Sequence, residues 1–177
     1  FVLGMAGRLD YFKRQDILIK VLSNQRILKL DLKLSFAGDG PDLQKLNKLA
    51  MKYKIENKVI FKGFLNDKQL KNWFNNIDLY VHASSGEGMS TAILQAMSME
   101  LPIIASDVYG IKNIFKEYPK IGDLFNNNDH DEISNLIYLY YSNSSKLRKK
   151  ISRKYIVKNF SIKQMHKKYI DLAKSII

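Results

Sequence analysis

What most constrains this chain is a rhythm: short, largely apolar runs alternate with segments whose apolar residues recur at helical spacing. Residues 2–6, 32–37, 58–61, 79–83, 103–105 and 122–125 read as strands too apolar to keep a wet face. Residues 15–22, 42–53, 67–75, 91–99, 112–116 and 132–141 read as the helices between them. Leu43, Leu46, Leu49 and Ala50 form one inward stripe; Leu70, Trp73 and Phe74 form another. Two more helices, over 146–159 and 162–176, close the chain. Strands buried on both faces and joined by helices make βαβ units. The expectation is therefore an α/β fold: a Rossmann-like three-layer α/β/α domain with a parallel sheet of about six strands, closed by C-terminal helices. At 177 residues the chain has room for a single domain with a sizeable core, spanning 1–177.

A sheet of this kind binds ligands outside the carboxyl ends of its strands. The polar and glycine-rich clusters follow the strands there: Gly7-Arg8, Gly38-Asp39-Gly40, Gly63-Phe64, residues 84–89 and Ser106-Asp107. Among them Glu87 stands between Gly86 and Gly88, just before the helix that opens at Ser90 or Thr91. A helix start offers unbonded backbone N–H groups and a positive dipole end, a seat for a diphosphate that Gly88 lets come close. Arg8 and Lys13 can add countercharge, whereas Glu87 has the wrong sign for phosphate and suits hydroxyl groups. Gln95, one turn beyond Thr91 on the same face, can reach a second hydroxyl pair. An acid for a sugar, amides and cations for phosphates, and a further polar group for a ribose describe a nucleotide-sugar site.

Other readings of the same residues are weaker. Gly38-Asp39-Gly40 lacks the third glycine of a dinucleotide fingerprint, since Leu43 occupies its place, and Pro41 reads as helix initiation. Gly88-Met89-Ser90-Thr91-Ala92 has the form of a hydrolase nucleophile elbow, with Asp107, His130 and His166 downstream. Ser90, however, follows a loop instead of a tight strand-to-helix turn and reads as an N-cap. His82, His130 and His166 lack ligand spacing, so no protein-bound metal is expected; His82, in a strand beside the site, is placed to touch a ligand but reads more readily as a partly buried structural residue.

With no cysteine, a disulfide scaffold and a thiolate metal site are excluded. The net charge of +12 calls for an anionic partner or serves solubility, and it is uneven: between residues 146 and 174 Asp171 is the single acid. Neither a recognition helix nor an RNP-type aromatic motif accompanies the basic helices, so nucleic acid is not expected. Ile162, Met165, Tyr169, Ile170, Ala173 and Ile176 form an apolar stripe expected to pack on the sheet or on a neighbouring domain. The chain opens on Phe1, already inside a strand-like run, which reads as part of a longer protein.

In ordered sequence these motifs resemble the C-terminal, donor-binding domain of retaining GT-B glycosyltransferases of family four, the group that includes bacterial lipopolysaccharide and capsule sugar transferases. Gly7-Arg8-Leu9 with Lys13 resembles G-R-L…K, and Gly38-Asp39-Gly40-Pro41 resembles G-x-G-P. Ser84-x-x-Glu87-Gly88 resembles S-x-x-E-G, and Gln95-Ala96-Met97 with Leu101-Pro102-Ile103-Ile104-Ala105-Ser106 resembles E-A-M…P-V-I-A-S. The resemblance implies transfer of a sugar from a UDP- or GDP-sugar to an acceptor hydroxyl, with retained configuration and no essential metal or other cofactor. It implies that Arg8 and Lys13 neutralise the diphosphate and that Glu87 holds sugar hydroxyls. It further implies that Gly7, Gly88, Met89, Ser90 and Thr91 approach sugar and phosphate, that Phe64 and Leu65 lie near the base, and that Gln95 binds ribose. The partners implied are the nucleotide-sugar donor, an N-terminal acceptor domain of the same protein, and an anionic membrane surface or lipid-linked acceptor at the inner face of the cytoplasmic membrane. A non-catalytic nucleotide-sugar-binding domain and a nucleotide-sugar epimerase of the same fold are the alternatives.

Four positions depart from the family pattern. Gln95 stands where a second acid is usual, and an amide offers a ribose diol one uncharged acceptor. Arg14 and Glu100 stand where glycine is usual, and Ala83 where proline is usual. At Glu100, the end of a helix, a left-handed residue is expected to cost about 1 kcal/mol.

Overall fold

The structure, a computed structural model, describes residues 1–118, 121–143 and 153–176. Six parallel strands make one sheet in the order β3-β2-β1-β4-β5-β6, from β1 (Val2–Ala6), β2 (Lys33–Ala37), β3 (Val59–Phe61), β4 (Leu79–His82), β5 (Ile103–Ser106) and β6 (Gly122–Phe125). This is the Rossmann-like α/β architecture that the apolar rhythm predicts. Alternation along each strand sends side chains to two cores: Leu3, Met5, Leu79, Val81 and Ile104 to one face, Tyr80, Ile103 and Ala105 to the other. Helices α1 (Gln15–Leu22), α2 (Gln25–Leu28), α3 (Leu43–Lys52) and α7 (His130–Ser142) cover the first face. Helices α4 (Asp67–Asn75), α5 (Thr91–Ser98), α6 (Tyr109–Glu117) and α8 (Arg153–Phe160) cover the second.

Local chemistry sets the helix boundaries. Asn66 and Gln69 form a reciprocal capping box at α4, each bond 3.0 Å long. Asp129 accepts from Glu132 N at 2.8 Å to open α7, and Asn24 accepts from Arg26 N to open α2, a helix that the periodicity does not predict. Helix α6 begins at Tyr109, before the expected 112–116, because Gly110 and Ile111 already turn into the core. Of the expected helix over 146–159, residues 146–152 lie outside the described residues, and α8 is its described remainder. Helix α9 (Ile162–Ile176) departs from expectation: none of its residues is buried, so its apolar stripe does not pack on the sheet. Ile162 and Ile176 are 70% and 77% exposed.

Chain direction across the sheet reverses between β1 and β4, opening a crevice at their carboxyl ends. The loops after these two strands carry Gly7 to Arg14 and Ser84 to Met89. Both positions where glycine is usual are left-handed here: Arg14 has φ 54 and Glu100 has φ 58. A side chain at such a φ is strained, and Glu100 makes no compensating side-chain bond among the described residues. Replacing Glu100→Gly is expected to raise stability by about 1 kcal/mol, seen as a higher midpoint in thermal unfolding. Glu100→Ala, which keeps the strained Cβ, should give little of that gain.

Candidate functional site

Glu87 is the centre of the crevice. The loop from Ser84 brings it back over the end of β4, where its carboxylate Oε1 takes an ion pair from Lys13 Nζ and a hydrogen bond from His82 Nε2 at 2.8 Å. Its side chain is 11% exposed and that of Lys13 25%. Burial alone would raise the Glu87 carboxyl; the bonds from His82 and Lys13 overcome it and hold the pKa at about 2. His82 is buried, which pushes its own pKa down against the pull of Glu87 and keeps the ring neutral. Tyr80 Oη lies 3.2 Å from His82 Nδ1 and is itself met by Ala6 N at 3.4 Å. Burial raises the Tyr80 phenol, which stays protonated.

Three donors tie the two loops together at one acceptor, the Phe12 carbonyl. Ser85 N donates at 2.8 Å, Ser85 Oγ at 3.1 Å and Ser84 Oγ at 3.2 Å. Ser84 O in turn accepts from Ser106 Oγ at 2.7 Å and from Asn127 Nδ2 at 3.1 Å, so β5 and the loop after β6 hold the same turn. Glycines act as close-packing points. A Cβ on Gly38 would come within 2.0 Å of Gly7 O, and one on Gly40 within 2.3 Å of Leu9 O. The Gly38-Asp39-Gly40 motif thus supports the loop that carries Arg8 and Lys13. Gly110, at the start of α6, plays the same part under the Glu87 loop, where a Cβ would meet Gly88 O at 1.6 Å.

The expected site residues divide. Gly7, Lys13, Glu87, Ser90 and the exposed Gly88, Met89 and Thr91 gather at the crevice and the start of α5. Lys13 folds its stem over Gly7, 3.8 Å from where a Cβ would sit. Arg8 reaches into solvent, 71% exposed, with Nε 3.7 Å from Asp10. Phe64 is 82% exposed beyond β3, and Leu65 is partly buried against α4's core. Gln95 is exposed and lines a groove of about 310 Å³ with Asp67, Leu70, Phe74, Met99 and Arg153. Its side chain has no hydrogen bond among the described residues.

Two features escaped the sequence. His82 is buried and not partly buried as expected, and it bonds Glu87 directly. A polar cavity of about 510 Å³ also opens beside the crevice, lined by Arg14, Ser85, Ser106, Asp107, Asn127 and Glu132 among others. The hydrolase reading fails on geometry. Ser90 Oγ is 3.5 Å from His82 Nε2, but that nitrogen already serves Glu87, and Nδ1 faces a neutral phenol instead of an acid. Asp107 is paired with Lys112, and His130 and His166 are exposed on α7 and α9. Among the described residues no group of three or more His, Cys, Asp or Glu could hold a metal, and no helix is long and apolar enough to cross a membrane.

Residues 1–158 match the family described as glycosyl transferases group 1. The chain belongs to that family. Among curated proteins, this group 1 glycosyl transferase is 41% identical over 120 residues to protein CapJ of Staphylococcus aureus, covering 66% of this chain and 30% of CapJ. It is 28% identical over 179 residues to the uncharacterized glycosyltransferase MJ1069 of Methanocaldococcus jannaschii, covering 99% of this chain and 45% of that one. The chain therefore spans less than half the length of these relatives. Anabaena Alr3699/HepE in complex with UDP-glucose superposes with a TM-score of 0.87 over 99% of this chain and 49% of that one, and at 23% identity this likeness carries the fold alone. The catalytic domain of cholesterol-alpha-glucosyltransferase from Helicobacter pylori is 26% identical, with a TM-score of 0.74 over 89% of this chain and 98% of that domain. The fold is that of GT-B glycosyltransferases.

The depressed Glu87 carboxyl makes an acid-side prediction. A carboxylate whose folded pKa lies near 2 against an ordinary 4.5 stabilises the fold fully above 4.5 and loses that contribution as pH falls towards 2. The stability gap between the parent protein and Glu87→Gln should therefore shrink over this window in denaturant titrations. A gap that stays constant from pH 6 to 2.5 would remove the ionised, doubly bonded Glu87.

Proposed function

We propose that this chain is the donor-binding half of a retaining, family-four glycosyltransferase that moves a sugar from a UDP- or GDP-sugar to an acceptor hydroxyl. The observation that carries the reading is the cluster at the crevice of a group 1 glycosyl transferase: an ionised Glu87 bridged to Lys13, beside the amino end of α5. Lys13, Arg8 and the first amides of α5 receive the diphosphate, and Glu87 accepts from hydroxyls of the sugar. In the reaction the bond from the anomeric carbon to the diphosphate oxygen breaks and a bond to the acceptor oxygen forms. The acceptor's proton ends on the departing diphosphate, whose charge Lys13 and Arg8 balance. Alr3699/HepE, which shares the fold, is in complex with UDP and with UDP-glucose; for this chain the donor class rests on its membership of the group 1 glycosyl transferases and on the crevice residues.

Under this reading Phe64 and Leu65 flank the base, and Gln95 meets the ribose from the groove between α4 and α5. The transfer needs no metal. The acceptor is bound by a domain outside this chain, against which the exposed stripe of α9 packs, and the isolated 177 residues bind donor weakly without transferring efficiently. A lipid-linked acceptor on the inner face of the cytoplasmic membrane, in surface polysaccharide, lipopolysaccharide or glycolipid synthesis, suits the +12 charge.

Titration with UDP, GDP, ADP and the matching nucleotide sugars tests the site. Lys13→Ala is expected to weaken every diphosphate about tenfold, the loss of one charge-assisted bond. Glu87→Ala should weaken the nucleotide sugar by a similar factor of about ten while the bare nucleoside diphosphate changes about twofold or less. Gln95→Glu should tighten nucleotide binding about threefold by restoring a second acceptor oxygen. Binding indifferent to Lys13, or a Glu87→Ala loss equal with and without the sugar, would overturn these assignments.

A further inference from the structure

Both bonds to Glu87 fall on the same oxygen, Oε1; Oε2 has no partner among the described residues. An ionised carboxylate has no proton to give, so the 2.8 Å contact requires the proton on His82 Nε2. In a neutral imidazole Nδ1 is then an acceptor, and it is met by the Tyr80 hydroxyl at 3.2 Å, whose oxygen receives Ala6 N–H and whose single proton also has Ala6 O at 3.3 Å. The Glu87 contact sets the tautomer and Tyr80 is the donor available to Nδ1; each link is buried, with Tyr80 0% and His82 1% exposed. The ring cannot rotate without breaking the chain, and its stacking on Tyr80 at 5.9 Å between centroids holds its plane.

We propose that His82 is a positioning residue for Glu87: its neutral imidazole, oriented by Tyr80, spends Nε2–H on Oε1 and leaves Oε2 as the oxygen offered to a sugar hydroxyl. The inference rests on the donor-site reading and adds a residue to it. Lys13 alone cannot do this. Its ammonium sits on a flexible stem and is the cation that an arriving diphosphate attracts, whereas His82 carries no charge for phosphate to compete for. The titratable groups facing Glu87 are Lys13 from the loop after β1 and His82 from β4, with Tyr80 behind the imidazole. Helix α5 contributes the Ser90 hydroxyl, 3.5 Å from Nε2.

The test uses the intact protein with His82→Leu and His82→Gln, the latter able to return an N–H near the Nε2 position. Histidine ¹⁵N spectra of the parent should show His82 neutral with its proton on Nε2, and carboxyl ¹³C titration should show Glu87 ionising well below an ordinary glutamate. In His82→Leu the Glu87 titration should move up and nucleotide-sugar affinity fall about tenfold, with the nucleoside diphosphate little changed. In His82→Gln both should return most of the way, at a thermal stability no better than that of His82→Leu. A proton on Nδ1, an unmoved Glu87 titration in His82→Leu, or a His82→Gln as impaired as His82→Leu would overturn the proposal. The spectral arms need no ligand. They decide the positioning role even if the parent binds no nucleotide sugar, a result that would defeat the donor-site reading instead.

Discussion

A carboxylate held nearly out of water must be compensated, and the manner of compensation at Glu87 organises the whole upper edge of the sheet. The cation comes from the loop after β1 and the neutral donor from β4, so the acid can stay ionised only while these neighbouring strands keep their register. The Phe12 carbonyl, which gathers three donors from Ser84 and Ser85, fixes the distance between the loops. Gly38, Gly40 and Gly110 let the surrounding backbone close to contact. Removing any of these supports would expose a charge that is tolerated because it is bonded.

The fold was legible because burial on both faces of a parallel sheet favours largely apolar strands, and their regular alternation with helical segments points to βαβ units. The site was legible in part for the same reason, since parallel strands send every following loop to one edge. Arg14 and Glu100 were readable as replaced glycines, and their positive φ angles bear this out. Other features depend on distances that no sequence pattern carries. His82 and Glu87 come together because the loop after β4 folds back, which local periodicity does not report. Helix α2 is a single turn capped by Asn24, too short for a period to appear. The stripe of α9 is periodic but unburied, because amphipathicity states that a helix has an apolar face and not what covers it.

The cations of the crevice differ in how they are held. Arg8 projects into solvent with one long contact to Asp10, whereas Lys13 is already committed to Glu87. In the proposed donor site, a diphosphate approaching the start of α5 would meet an exposed cation and a paired one. The Arg8 guanidinium can reach out at little electrostatic cost, because its pairing to Asp10 is exposed and weak. The ammonium has three protons and can bond a phosphate oxygen while keeping one on Oε1. Were Lys13 the sole partner of Glu87, that sharing would loosen the acid at the moment a sugar needs it fixed. A second, uncharged partner removes the conflict, because a buried N–H already bonded to Oε1 carries no net charge for the phosphates to draw away. Under the proposed donor-site reading, a buried histidine at this position, instead of another cation, would let one site hold phosphate and sugar together without making them compete for the same charge.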